Sequence, residues 1–383
     1  MEFLPRTLGT RPRLACEVRA EGVVAARAED ASAVLSAISM VQLSGGVVVP
    51  HLQAAAAAAG GAVVGGDAGF ATNNGLGVVG SGVAARATIV AAVRTALEDV
   101  YLRTREVTLV VPDAAVRVLL LDFDELPAKA AEALPVVRFR LKKLLPFDAD
   151  DAAVSYQVMA TSKGALQVLA VAMPREVLAE YESVVREAGF EPGAVLPSTL
   201  AALAGLSDGE LPVLVVNAGR EAVTTAIVKA GVLLLHRTVD LGMGRGEARA
   251  AEAAEPTREE PTETSIAAIA ARMAAAETKV PVREPEVVAE SSLAAPTDEV
   301  AQAVSVASAY FEDTLETTPA VVLAAGTLGA AALTLVLDEA NVGPVAVQEM
   351  VDRQMLGAGA ASAGSPTGIP LGWLAGVRGA LAN

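Results

Sequence analysis

The chain has one cysteine, Cys16, and two histidines, His51 and His236, in 383 residues. A single thiol excludes an internal disulfide framework. Two histidines far apart in sequence leave a His-based metal site or a Ser-His-Asp triad almost nothing to draw on. Aromatic residues make up 3% of a chain that is 53% apolar. Alanine and valine therefore carry the hydropathy, and no window offers about 18 consecutive strongly apolar residues for a membrane span. The alanine run 54–59 is short and is broken by Gly60 and Gly61. The start, Met1-Glu2-Phe3-Leu4-Pro5-Arg6, lacks the apolar region of a secretory signal, so a cytoplasmic protein is expected. Basic residues are outnumbered, 29 Lys and Arg against 45 Asp and Glu, for a net charge of −16. That balance excludes broad nucleic-acid binding, which needs a basic surface.

What is present is an alternation of strands and helices, repeated. Residues 13–28 suit a β-hairpin turning at Glu21-Gly22, and a Gly/Ala-rich region of no clear pattern runs to about Gly82. Ile89, Val93, Leu97 and Val100 recur at helical spacing and predict a helix over 84–103. Strands are predicted at 107–111 and 116–121. Next comes a basic amphipathic helix over 127–147, opened by Pro127, interrupted by Pro135 and closed by Pro146. Strands follow at 153–159 and 165–171, then a helix after Pro174 with Val177, Tyr181, Val184 and Ala188 on one face and Gly189 as its cap. The pattern restarts at the continuous apolar run 213–216, the turn Asn217-Ala218-Gly219-Arg220, and a hairpin through Lys229-Ala230-Gly231. From 243 to 297 Glu, Pro, Thr and Ala dominate, a composition that buries too little apolar surface to order itself. A short helix at 265–275 is expected inside this segment. A helix from Glu299, a strand at 320–324, the turn 325–329, a helix to Glu339, a Gly/Ser-rich linker over 357–368 and a last helix at 370–381 complete the chain. Two α/β lobes built on a similar plan are expected.

Two motifs carry possible chemistry. Gly75-Leu76-Gly77-Val78-Val79-Gly80 matches the dinucleotide pattern, with Glu98 and Asp99 near the expected distance. No buried strand leads into it, however, since Asn73-Asn74 precede it, and a flexible loop is the plainer expectation. The run Arg138, Arg140, Lys142, Lys143 is either the solvated side of the Leu134/Val137/Leu141/Leu144 stripe or a surface for a partner or membrane.

Arg138-Phe139-Arg140-Leu141-Lys142-Lys143-Leu144-Leu145-Pro146-Phe147, followed by the strand around Tyr156, resembles the extra subdomain of the PilM family of type IV pilus assembly proteins, which are actin-like and related to FtsA. Further segments resemble that family: Val110-Val111-Pro112-Asp113, Asp124-Glu125-Leu126-Pro127, Ala170 to Val177, Glu187 to Pro192, the turn 213–219, the turn 321–326, and the closing Pro370-Leu371-Gly372-Trp373-Leu374-Ala375. The resemblance covers about 104–241 and 301 onward, and is poor before Ala84.

It implies a two-lobed actin-like ATPase fold with ribonuclease H-like lobes and an extra α/β subdomain in the first lobe. The expected parts are the first lobe over 1–103, the partner-binding subdomain over 104–192, the second lobe over 193–242 and 298–356, the acidic insertion over 243–297, and a linker and closing helix over 357–383. It places a nucleotide site at Glu17, Asn217, Gly219, Gly326 and Gly329, where ATP and Mg²⁺ would sit. At the first phosphate turn, Glu17-Val18-Arg19-Ala20 stands where the family carries an Asp-Ile-Gly-Ser type sequence. Asn217 replaces the usual Asp of the second turn, and Ala325-Gly326-Thr327 replaces a run of glycines. These departures, with the insertion, imply a degenerate site, no hydrolysis and no cofactor. The resemblance also implies a cytoplasmic adaptor peripheral to the inner membrane. It would accept the N-terminal tail of a PilN-like membrane protein in a groove beside the 127–147 helix and the 153–159 strand, with Arg138, Arg140, Leu141, Pro146, Phe147 and Tyr156 on the partner surface. Pilus platform and motor components, and a homo-oligomer, are further expected partners. Three alternatives stay open: an ATP-binding actin-like switch in which Glu17 and Asn217 still serve the metal, a type II secretion platform domain, and a Rossmann-type oxidoreductase using Gly75, Gly77 and Gly80.

Overall fold

The computed structural model describes residues 12–44, 47, 49–50, 75–162, 164–206, 209–241, 297–319, 321–340, 345–357, 360 and 370–382. The predicted insertion, except Thr297, and nearly all of the predicted linker lie outside the described residues.

Strands β1 (Leu14–Val18), β2 (Gly22–Ala28) and β3 (Leu35–Gln42) form an antiparallel meander. The strands β4 (Glu106–Val111) and β8 (Glu191–Pro197) then add in parallel beside β1, giving the order β3-β2-β1-β4-β8. The second lobe repeats this plan. Strands β9 (Val213–Ala218), β10 (Ala222–Lys229) and β11 (Val232–Asp240) form the meander, and β12 (Val321–Gly326) and β13 (Ala346–Glu349) add in parallel, in the order β11-β10-β9-β12-β13. Leu14 to Val18 are all buried, as a strand paired on both sides and covered on both faces must be.

Helices cover these sheets where their apolar stripes direct them. Helix α1 (Gly75–Val100) packs on the first meander through Ile89, Val93, Ala96, Leu97 and Val100. It starts nine residues before the predicted Ala84, so the Gly75–Gly80 motif belongs to a helix rather than to a loop or a phosphate-binding turn. Between β4 and β8 the chain builds a three-stranded sheet from β5 (Arg117–Phe123), β6 (Ala152–Ser162) and β7 (Ala165–Pro174), in the order β5-β7-β6. One face of that sheet carries α2 (Ala130–Leu141). Val137 and Leu141 of α2 are buried with Val168, Ala170 and Ala172 of β7. The predicted 127–147 helix is thus shorter at both ends, and Pro135 sits inside it. The extra subdomain is narrower than 104–192, because β4 and β8 belong to the first five-stranded sheet. Helix α3 (Arg175–Glu187) returns the chain to that sheet, burying Val177, Tyr181, Val184 and Val185.

The elements α4 (Ser198–Ala204), α5 (Thr297–Leu315), α6 (Gly329–Glu339) and α7 (Ala375–Leu381) complete the lobes. Helices α4 and α7 are all but wholly buried and pack on each other at close range. A Cβ at Gly379 would lie 1.8 Å from the Ala201 carbonyl oxygen, so only glycine permits this crossing. One buried cluster joins Ala15, Val24 and Val110 of the first sheet to Val215, Ala226 and Ala325 of the second, through Leu200 and Leu203 of α4 and Trp373, Val377 and Ala380 at the closing helix. The lobes therefore share a core and do not merely abut.

Candidate functional site

The parallel strands of both sheets end at one place. Glu17 lies at the end of β1, Asp113 just past β4, Ser198 and Thr199 just past β8, Asn217 at the end of β9 and Thr327 just past β12. In open α/β sheets the carboxyl ends of parallel strands are where ligands bind. Here those ends face each other across the interlobe cleft.

The two meander turns have the same form. The Arg19 amide donates to the Gly22 carbonyl at 2.9 Å, and the Gly219 amide donates to the Ala222 carbonyl at 3.0 Å. In the first turn Arg19 is only 8% exposed and points inward. Its Nε donates to Glu17 Oε1 at 2.6 Å, and its Nη2 donates to Ser198 Oγ at 2.6 Å and to Asn217 Oδ1 at 2.8 Å. Ser198 Oγ in turn donates to Glu17 Oε1 at 2.7 Å. Asn217 Nδ2 donates to Thr199 Oγ1 at 2.9 Å, to Ser198 Oγ at 3.0 Å and to Asp113 Oδ2 at 3.3 Å. Asp113 also accepts from the Thr199 amide and hydroxyl. Asparagine fits this position because one amide both accepts from the guanidinium and donates toward a carboxylate, which an ionised aspartate cannot do.

A second set of bonds runs beside the first. Glu21, 3% exposed, accepts from the Arg220 amide and from Thr327 Oγ1. Arg220 Nη2 reaches back to the Ala20 carbonyl at 2.8 Å. Each turn thus sends an arginine to the opposite lobe. Burial alone would pull the Arg19 pKa down, but Glu17, Glu21 and Asp113 hold it above the ordinary arginine value. Burial and the nearby Glu21 push the Glu221 carboxyl up to about 7.

Of the five residues predicted for a nucleotide site, Glu17 and Asn217 are joined through Arg19 and Ser198. Gly219 sits against Glu21 and Arg19, and Gly326 against Ala218 and Asn217. Gly329 lies apart from them, packed on Pro370. The cavity left among Arg19, Glu21, Asp113, Asn217 and Arg220 measures about 30 Å³, room for about one water molecule. Among the described residues, no three His, Cys, Asp or Glu side chains group so as to hold a metal ion. Asp113, Ser198 and Thr199 were not legible as site residues. The signal that would have found them is a proline at the end of a parallel strand: Asp113 follows Pro112, and Ser198-Thr199 follow Pro197.

A second concavity lies between the small sheet and the first lobe. It encloses about 270 Å³ and is lined by Val111, Val116, Val171, Met173, Leu178 and Val195, with Glu182 as its one charged residue. Ala153, Val154 and Ser155 contribute three in a row, so the groove meets the edge of β6, while Gly193, Val195 and Pro197 alternate and present a face of β8. Both strands pair on one side only. Glu182 is ion-paired with Arg186 at 2.9 Å on the surface of α3.

Strand β6 borders this groove through Ala153, Val154 and Ser155, and the basic helix does not. Helix α2 lies on the other face of the small sheet, and none of Arg138, Arg140, Leu141, Pro146, Phe147 or Tyr156 lines the groove. Leu141 is fully buried in the subdomain core, with Phe147 and Tyr156 packed against it. Arg138 donates to the carbonyls of Ala149 and Ala152, closing the loop after α2. Arg140 and Pro146 are exposed. Lys142 is exposed and pairs with Asp150 on the surface.

Two repeated β-β-β-α-β-α-β lobes with a cleft at their strand ends define the actin-like fold. A chain of the PilM-PilN type IV pilus biogenesis complex superposes on this one with a TM-score of 0.58 at 16% identity, over 97% of this chain and 98% of that one. The likeness to the PilM family expected from the sequence is thus present at the level of fold. The cytoplasmic domain of EpsL, an inner-membrane component of the type II secretion system of Vibrio cholerae, aligns over 65% of this chain and 78% of its own at 14% identity, with a TM-score of 0.35. A Bacteroides thetaiotaomicron protein of actin-like ATPase fold aligns over 88% of this chain and 90% of its own at 8% identity, with a TM-score of 0.39. At those scores neither bears on the assignment. No protein-family model and no curated protein matches the sequence. Among the described residues, no helix is long and apolar enough to cross a membrane.

Proposed function

We propose that the protein is a nucleotide-independent adaptor of a type IV pilus assembly platform, working at the cytoplasmic face of the inner membrane and holding the N-terminal tail of a PilN-like membrane protein. The observation that carries this is the groove of about 270 Å³ between the edge of β6 and a face of β8. It has the form an extended peptide needs. An unpaired strand edge offers main-chain hydrogen bonds, and apolar walls receive alternate side chains. Glu182, the sole charge on the lining, faces a basic group of the tail, with Arg186 as the partner it exchanges. The match to a chain of the PilM-PilN complex runs through this subdomain as well as both lobes, since it covers 97% of the chain. The filled interlobe cleft supports independence from nucleotide, because about 30 Å³ leaves no room for phosphates.

The test is a fluorescence-anisotropy titration of the purified protein with the labelled cytoplasmic tail of the PilN-like protein from the same genome, with and without Mg-ATP. Micromolar binding that ignores ATP is expected, with an E182Q variant weakened about 5-fold, the scale of one rim charge contact. Binding only with ATP would bring forward the ATP-switch alternative. Absence of binding in both conditions would leave the fold and remove the pilus role.

A further inference from the structure

We propose that the interlobe cleft carries its own ligand. The Arg19 guanidinium is a tethered cation that fills the place between the two turns and holds the lobes closed. The proposal deepens the nucleotide independence above and does not depend on what the groove binds.

The guanidinium is held as a bound ligand would be. Its acceptors come from three separate strand ends: Glu17 on β1, Ser198 after β8 and Asn217 on β9. Ser198 and Asn217 are also bonded to each other at 3.0 Å, and Ser198 to Glu17 at 2.7 Å, so the acceptors form a linked arc that the planar guanidinium closes into a ring. A rigid fork of donors suits such a ring, and a lysine ammonium does not reproduce it. The compensation is also electrostatic, since Glu21 and Asp113 add negative charge near Arg19. Without Arg19, the fully buried Glu17 carboxylate would keep Ser198 alone, because its other oxygen has no hydrogen-bond partner. Truncating the arginine therefore creates a hole with the shape and charge preference of a guanidinium ion.

Thermal melting of the full chain and of R19A and R19K tests this, each with low-millimolar guanidinium chloride and with urea as the neutral isostere, far below denaturing levels. R19A is expected to melt about 8 °C below wild type, as when one partner of a buried pair is removed. Guanidinium should recover several degrees of that loss in R19A, saturably, and leave wild type unmoved; urea should recover nothing. R19K, which keeps the charge without the fork, should melt between the two, and it carries the test if R19A does not fold. Mg-ATP should leave the wild-type melt in place. The proposal falls if R19A or R19K melts with wild type, if urea and guanidinium act alike on R19A, or if Mg-ATP stabilises wild type. The tail titration contains no Arg19 variant, so either result stands without the other.

Discussion

The first and second meander turns have the same backbone form and opposite occupancy. Glu17-Val18-Arg19-Ala20-Glu21 matches Asn217-Ala218-Gly219-Arg220-Glu221 position for position, and both sequences close on the next strand through the same turn hydrogen bond. The difference is where the arginine stands. At the third position it points into the cleft and gathers Glu17, Ser198 and Asn217. At the fourth it crosses along the edge of the cleft to the Ala20 carbonyl of the first turn. One step of register along a tight turn thus separates a residue that fills a cleft from one that borders it.

Placing a second arginine at the third position would break the comparison most severely. A Cβ on Gly219 would already lie 2.9 Å from Glu21 Oε1 and 3.3 Å from Arg19 Nη1. G219R is therefore expected to cost about 4 kcal/mol, through crowding and a second cation in a closed site. Urea denaturation would measure it. N217D comes next. It turns a donor toward Asp113 Oδ2, now 3.3 Å away, into a second carboxylate. A loss of about 2–3 kcal/mol is expected at pH 7, shrinking in acid as the carboxyls protonate. E17A leaves the Arg19 charge short of its partner and should cost about 3 kcal/mol, whereas the uncharged pair E17Q/R19M should fall within about 1 kcal/mol of wild type. Strict additivity of E17Q and R19M in a double-mutant cycle would contradict the direct bond.

The smallest effect concerns the fifth position. Glu221 has a folded pKa of about 7 against an ordinary 4.5. The folded state therefore binds the proton more tightly, and stability falls as pH rises from about 4.5 through about 7. E221Q removes that slope. The variant should melt with wild type near pH 4.5 and roughly 2–4 °C above it at pH 8. Parallel melting curves for both proteins across that range would show that the raised pKa has no bearing on stability.

Much of the plan was legible from periodicity. The continuous apolar run of β9, the hairpins at Glu21-Gly22 and Lys229-Gly231, and the stripe of α3 all lie where the sequence places them. The elements missed are those whose sequence resembles something else. Strand β3, Leu-Ser-Ala-Ile-Ser-Met-Val-Gln, is a half-exposed edge strand without clean alternation. Strand β8 contains two prolines and a glycine, tolerable only because it pairs on one side. Helix α4 is short, and no side chain caps its start. The departures at Glu17, Arg19 and Asn217 could be read as losses from a family pattern. That they bind one another could not, since Arg19 and Asn217 meet only when two sheets converge, and the Ser198 that completes the ring follows the strand hardest to see. The basic helix misled for a related reason. Val137 and Leu141 of its stripe bury against the small sheet while Leu144, past the helix end, is exposed, and periodicity does not tell which face of that sheet the helix covers; it covers the one away from the groove.

The close crossing of α4 and α7 also sets an order in time. Strand β1 is the first described element and stands at the centre of its sheet, yet the helix that packs on it, with Gly376 against the Glu17 carboxylate and Gly379 against Ala201, is the last described element. During synthesis the contacts between β1 and α7 can form only after every described element between them has been made. Contacts that span such a length of sequence are slow to form, and until they form the small apolar residues that α7 will cover stay exposed. Expression at lowered temperature or with a chaperone should therefore raise the soluble yield, and a chain cut before α7 should be recovered mainly as aggregate.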